Sequence, residues 1–291
     1  MSTSADLFRP SPVRRRRWFK SWGVSASWRK RRPAFENLEG RALLSAQGLD
    51  AQFAQEGIAT TAFSGNHNLV NAIAVQSDGK LVAVGASQLL VQTTPDITTI
   101  SSGYAMARYN VDGSLDTTFG SGGKIEASLV TGNFGADDVA IQNDGKLVVV
   151  GSDGLSRYNS DGSVDSSFGT NGVVSGGIGP WVGLHGDKIV TAGSSSSSGL
   201  RRFNADGSLD TTFGEQGVVS GPSFGQFVID GLGRIIVVTG VDTIARYTSS
   251  GLLDTTFGNS GQVTVPEATR SGDTQRVALA PDGKIIWASS I

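Results

Sequence analysis

Asn110, Asp112, Ser114 and Asp116 set four side-chain oxygens at alternating positions of one short stretch, the arrangement by which a loop cages a hard cation such as calcium. A helix–loop–helix calcium site needs Gly at its sixth position and a bidentate Glu at its twelfth. Counted from Asn110, the Gly comes fourth (Gly113) and the twelfth residue is Ser121. Asn, Asp, Ser and Gly also close turns by hydrogen-bonding their own backbone or by accepting positive φ. The expectation is therefore a set of structural turns with no cofactor and no metal, calcium being the alternative.

The stretch recurs. Arg108 to Gly120 returns as Arg157 to Gly169, Arg202 to Gly214 and Arg246 to Gly258, and a worn copy stands at Leu49 to Phe53. Aligned on Phe53, Phe119, Phe168, Phe213 and Phe257, every copy has Leu or Val four residues earlier, Asp three earlier and Gly four later. The Asp set is Asp50, Asp116, Asp165, Asp210 and Asp254, and four copies begin on Arg108, Arg157, Arg202 or Arg246. A ring of Arg beside Tyr or Phe is one way to build a ligand-binding site. The structural alternative, preferred here, pairs each Arg with the repeated Asp or stacks it on an aromatic ring. The Phe set is read as inter-repeat core.

Catalytic patterns are sparse. His67 and His185 are the two histidines, lie in different repeats, and exclude a three-His zinc site. There is no Cys, hence no thiol nucleophile and no disulfide framework. No Gly-x-Ser-x-Gly elbow stands in strand–turn–helix context, and the scattered Gly-x-Gly pairs are read as turn glycines. An enzyme is not expected.

The elements that must position these residues follow from the spacing. Successive Phe are 66, 49, 45 and 44 residues apart, a period that points to solenoids, propellers or arrays. After each copy come two β-rich runs joined by a turn, clearest in Val75 to Val82 around Asp78-Gly79 and echoed at Ile141 to Val148 and Leu279 to Ile286. A second short turn leads to the strand ending at the next Arg. That makes four antiparallel strands per unit, the build of a propeller blade. The spacing from the Gly after each Phe to the basic residue after the hairpin is 23 in three units but 16 and 17 in the third and fourth. There Gly186-Asp187 and Leu232-Gly233 stand where Asp-Gly is expected, so those hairpins are predicted to be shortened or altered. Ala86 to Gly103 is predicted to be an extended hairpin or loop, and Ser194 to Ser198 a surface loop. The fifth unit lacks the strand that should end in its own Arg-Tyr-Asn, and residues around Arg41 to Gln47 are the candidates to supply it and close the ring. The fold class expected is all-β, a β-propeller of about five four-stranded blades, with a fragment of a larger propeller or array as the alternative.

Arg-Tyr-Asn-x-Asp-Gly-Ser-Leu-Asp-Thr-Thr-Phe-Gly, followed by Val-Gln-x-Asp-Gly-Lys, resembles the delta-60 repeat of bacterial propeller-type surface proteins over residues 48–291. The resemblance implies β-propeller architecture and says little about chemistry. Departures are the worn first copy, the altered third and fourth hairpins, and Thr248-Ser249-Ser250-Gly251 in place of Asn-x-Asp-Gly.

The net charge of −2 conceals an asymmetry: residues 1–45 hold 11 of the 24 Lys and Arg but only 3 of the 26 Asp and Glu. This divides the chain into a basic leader, 1–47, and an acidic repeat domain, 48–291. The basic clusters around Arg14 to Lys20 and Arg29 to Arg32 alternate with Trp18, Phe19, Trp22 and Trp28 without helical or strand period, so residues 1–34 are expected to be disordered and removable. They are read as a processing tail and not as a nucleic-acid arm. Leu38, Glu39, Arg41, Leu43, Leu44 and Ser45 resemble a short N-terminal signature of large surface or secreted bacterial proteins. No stretch reaches the roughly 20 apolar residues of a membrane span. The functional expectation is a monomeric, non-enzymatic, secreted or cell-surface module whose face loops bind a protein or a glycan. The alternative is a propeller-type hydrolase or lyase with acidic residues at the central channel.

Overall fold

In the computed structural model of the protein, the described residues are 49–289, apart from 95–96, 128–129, 132–134, 153, 177, 194–198, 222, 241 and 265–274. The chain divides into two units, Met1–Gln47 and Gly48–Ile291. The first unit, with the expectations placed on 1–34 and Arg41 to Gln47, lies outside the described residues, as does the serine run 194–198.

The repeat domain is all-β and is a β-propeller; among the described residues there is no helix, and so none long and apolar enough to cross a membrane. Blade 1 holds β1 (His67–Val75), β2 (Leu81–Thr94), β3 (Ile97–Tyr109) and β4 (Lys124–Glu126), with β5 (Val130–Thr131) also paired to β3. Blade 2 is β6 (Ala136–Ile141), β7 (Leu147–Gly151), β8 (Gly154–Tyr158) and β9 (Val173–Val174). Blade 3 is β10 (Trp181–His185), β11 (Lys188–Ala192), β12 (Leu200–Phe203) and β13 (Val218–Val219). Blade 4 is β14 (Phe224–Ile229), β15 (Ile235–Thr239), β16 (Thr243–Tyr247) and β17 (Gln262–Thr264). A fifth sheet has two described strands, β18 (Gln275–Leu279) and β19 (Ile285–Ser289). All strand pairings are antiparallel and, β5 apart, in meander order, and along the series β1, β6, β10, β14, β18 each first strand lies beside the next.

Local sequence explains the meander. At Asp78-Gly79 the Gln76 amide donates to the Lys80 carbonyl and the Gly79 amide to the Gln76 carbonyl, and Gly79 takes φ +84°, which L side chains rarely adopt. The second strands of blades 2 to 4 are apolar on both faces, as in Leu147–Gly151, because each is covered by a sheet on either side. The core therefore sits between blades. Val82, Val84 and Phe119 of blade 1 meet Val139, Leu147 and Val149 of blade 2, and three further clusters repeat this at the following junctions.

The segment Ala86 to Gly103 forms the long arms of the β2–β3 hairpin, in one register from Leu81↔Tyr109 to Gln92↔Thr98, with a shift before Thr94↔Ile97. The fourth hairpin departs from expectation: Asp230 to Arg234 closes with the same two backbone bonds as Gln76 to Lys80 and is not shortened. What shortens that unit is the link between blades, which runs from Val219 to Phe224 against Glu126 to Ala136 in blade 2. In blade 3 the hairpin itself is tight, with His185 directly opposite Lys188.

Candidate functional site

Each repeated Arg stands one residue before the end of a third strand, and the chain then reverses through the Asn-x-Asp-Gly-Ser turn. Asn110 and Ser114 close that turn, and the Asp116 amide donates to the Arg108 carbonyl, so residues eight apart in sequence lie side by side. Asp112 Oδ1 accepts from the Ser114 amide (2.9 Å) and hydroxyl (2.6 Å), which commits that oxygen to its own turn. Asp161 with Ser163 and Asp206 with Ser208 do the same.

Asp116 is the hub of a clamp. Its Oδ2 accepts from Arg108 Nε and Lys80 Nζ, both at 2.8 Å, and its Oδ1 from the Thr118 hydroxyl at 2.6 Å and amide at 3.1 Å. The Arg108 guanidinium lies 4.6 Å over the Phe119 ring, and its Nη1 donates to the Ser160 carbonyl of the next repeat. Arg157, Asp165 and Phe168 form the same set with Lys146 and Ser167, and Arg157 reaches the Ala205 carbonyl. Arg202, Asp210 and Phe213 form the third set with Lys188 and Thr212, and Arg202 reaches the Ser249 carbonyl. In the fourth, Arg246 pairs with Asp254 at 2.8 Å and stacks on Phe257, whereas Arg234, at the Lys position, pairs with Asp230 at 2.7 Å. Each set thus closes on itself, and the first three also reach into the following repeat.

The glycine after each Phe extends the junction: Gly120, Gly169 and Gly214 amides donate to the carbonyls of Asp161, Asp206 and Ser250. Gly162 is needed there twice over, since it takes φ +89° and a Cβ would stand 3.0 Å from the Phe119 ring and the Gly120 nitrogen. The worn first copy docks likewise, with Ala54 donating to the Asp112 carbonyl.

The clamps set the acids' protonation. The Lys80 ammonium, then the Thr118 hydroxyl, hold the Asp116 carboxyl far below the usual range. The Ser167 hydroxyl and Lys146 do so for Asp165. At Asp210 burial pushes upward, but Thr212 and Lys188 outweigh it. The histidines stay apart: His67 Nδ1 faces Gln88 in blade 1, and His185 packs over Gly233. Among the described residues no group of three or more His, Cys, Asp or Glu is arranged to hold a metal.

A second cluster lies along the ring of first strands. Register shifts fall at Val70/Ala72 in β1, Ala136/Asp138 in β6 and Phe224/Phe227 in β14. Such bulges re-aim side chains. Here they aim polar groups at the neighbouring blade. Asn71 donates to the Ala136 carbonyl at 2.8 Å, Asp138 accepts from the Val182 amide at 3.0 Å and Gln226 accepts from the Val277 amide at 2.6 Å. Near Asp138, the Arg276 guanidinium of β18 lies 4.9 Å from the Trp181 ring of β10. Burial pushes the Asp138 carboxyl upward, against its bonds to the Val182 and Val139 amides and the Arg276 charge. Asp137 keeps contact with solvent, yet crowding and then the Asp138 charge push it upward as well. Sequence reasoning missed this group. Its signal was the adjacent pair Asp137-Asp138 opening an apolar strand, at positions where the repeats differ most.

Three segments, 98–119, 142–168 and 187–213, match the sequence model of a family described as "Domain of unknown function (DUF5122) beta-propeller", which supports a β-propeller repeat family. No curated protein matches the chain. Among solved structures, the virginiamycin B lyase of Staphylococcus aureus aligns at TM-score 0.44 and 12% identity, over 78% of this chain and 72% of that one. A gluconolactonase from Xanthomonas campestris aligns at TM-score 0.45 and 13% identity, over 75% and 68%. The WD40 β-propeller domain of Doa1 aligns at 0.43 and 13%, over 76% and 75%. None of the three carries its activity to this chain.

Proposed function

We propose that the repeat domain is a non-enzymatic binding module, exported to the cell surface or medium, that takes a protein or glycan partner at the ring of first strands. One observation carries the reading: Asp138, Trp181 and Arg276 come from three different blades and break the repeat symmetry, whereas the symmetric Asp and Arg are occupied in clamps. An indole, a guanidinium and carboxylates together offer stacking and directional hydrogen bonds, the usual means of holding a sugar ring or a peptide. We also read the chain as a delta-60 repeat protein, exported under the Leu38 to Ser45 signature. The rival reading, a propeller hydrolase or lyase, is favoured by the raised Asp137 and Asp138 carboxyls, since perturbed acids gather at catalytic sites.

The test is calorimetric titration of the full chain with a panel of oligosaccharides and peptides. The reading predicts a ligand whose binding is lost in Trp181→Ala and Arg276→Ala, with no turnover of that ligand. Binding untouched by both variants, or turnover abolished by Asp137→Asn, would overturn it.

A further inference from the structure

Every blade has a leading face, turned to the blade before it, and a trailing face, turned to the blade after. At the four junctions one face of each kind meets the other. Trailing Val82 and Val84 pack on leading Val139 and Ile141, and trailing Val148 and Val150 on leading Val182 and Leu184. At the last junction, Ile236 and Val238 pack on Val277 and Leu279. The sides at these positions are buried: Val139 is 7% exposed and Val277 2% on the leading side, Val148 0% and Ile236 1% on the trailing side.

Two faces are left over. On blade 1 the residues at the positions of Val139 and Ile141 are Ile73 and Val75, exposed at 64% and 67%, with Val70 beside them at 65%. At the other end, the residue at the position of Val148 is Ile286 in β19, exposed at 56%. An apolar patch of this kind on a soluble domain marks an interaction surface.

The shape of the uncovered area says what fits it. The outer half of blade 1's leading face is already covered by the chain's own residues 59–64. The Thr61 hydroxyl is 2.7 Å from the Tyr109 hydroxyl, Phe63 lies under the Lys124 ammonium, and Ser64 bonds Glu126. The inner half, carried by β1, stays open. The matching piece is an inner half-blade with an apolar trailing face, and β18–β19 is a two-stranded sheet of that kind. Among the described residues both faces remain exposed, and a second copy brings a mating face of each kind.

We infer that the open leading face of blade 1 is the docking surface for the trailing face of β18–β19 of a second copy of this chain. The contact continues the blade–blade interface already repeated four times within the chain. It joins two different surfaces, so it is head-to-tail, and successive copies add in series unless the rotation closes a ring. This revises the sequence-based expectation of a monomer.

Sedimentation and light scattering of the full chain over a wide concentration range test it. The wild type is expected above the one-chain mass, rising with concentration. Ile73→Asp with Val75→Asp removes the leading face, and Ile286→Asp removes the trailing face; each variant alone is expected at the one-chain mass. Mixed, they retain one good face of each kind and form a two-chain species that grows no further. All three residues are more than half exposed, so folding should survive, and Ile73→Thr with Val75→Thr gives a milder form that keeps β-branching. A wild type that stays at the one-chain mass throughout overturns the inference. So does an Ile286→Asp chain that still self-associates, since that would mean leading faces pair with each other.

Discussion

Consider Asp116→Asn. The change keeps size and shape but removes the charge that Lys80 and Arg108 share on one oxygen, both at 2.8 Å. Arg108 is only 6% exposed, so its guanidinium would be left enclosed with no carboxylate beside it. Removing one partner of a buried pair costs about 3–5 kcal/mol, and a lost charged hydrogen bond about 1.5–3 kcal/mol. The clamp lies one side chain from solvent, with the Lys80 side chain 30% exposed, and Arg108 keeps its bond to Ser160 and its stacking on Phe119. We therefore take about 2–3 kcal/mol, between the exposed and buried limits. Urea unfolding of the full chain, followed by circular dichroism, measures it as a shift in midpoint at constant slope. The control is Asp112→Asn in the exposed turn, for which a clearly smaller loss is expected. A loss below about 1 kcal/mol for Asp116→Asn, or one equal to the control, would refute the clamp as a stabilising unit.

Acidification should act through the same groups. Asp116, Asp165 and Asp210 have folded pKa values below that of an unfolded Asp (about 3.9), so the native state binds fewer protons; their contribution is full above that value and is lost as pH falls below it, with flatter acid limbs in the Asn variants. Asp138 has the opposite sign: its raised pKa means its contribution is lost as pH rises through the folded value, and Asp138→Asn should remove that slope, which a pH series of melts reads. Phe168→Ala empties a fully buried site between blades and should cost about 3–5 kcal/mol in the same urea assay; a loss under about 1 kcal/mol would take Phe168 out of the core. A melt in EDTA and then in millimolar calcium should show no rise, because Asp112, Asp161 and Asp206 each commit Oδ1 to the following Ser; a rise of several degrees, weakened by Asp112→Ala, would make the turns calcium sites.

The fold was legible because two short-range signals, Asp-Gly hairpins and the recurring Phe, repeat at a blade's period. The neighbourhood of Arg108 and Asp116 also follows from a turn that any reader can place between them. Lys80 is harder: it reaches Asp116 from another hairpin, and only the strand order β1-β2-β3 brings it there. The fourth hairpin misled because Leu232-Gly233 looks unlike Asp-Gly, although Gly alone meets the positive-φ requirement and Asp230, the first residue of the turn, caps it by accepting from the Leu232 and Arg234 amides. Of the cluster of Asp138, Trp181 and Arg276, only the Asp137-Asp138 pair left a trace in the sequence. One bulge, at Ala136/Asp138, and three blades set the cluster, and neither pleat nor period predicts a bulge.

The central claim is that the recurring stretch staples each blade to the next. Native-state hydrogen exchange at the Gly120, Gly169 and Gly214 amides tests it most directly, since each donates at 2.8 Å to the following repeat. The account predicts protection comparable to that of Val148, Val190 and Ile236 in the second strands, because these bonds open only when the junction opens. Exchange of all three glycines at the rate of a free surface loop would contradict it.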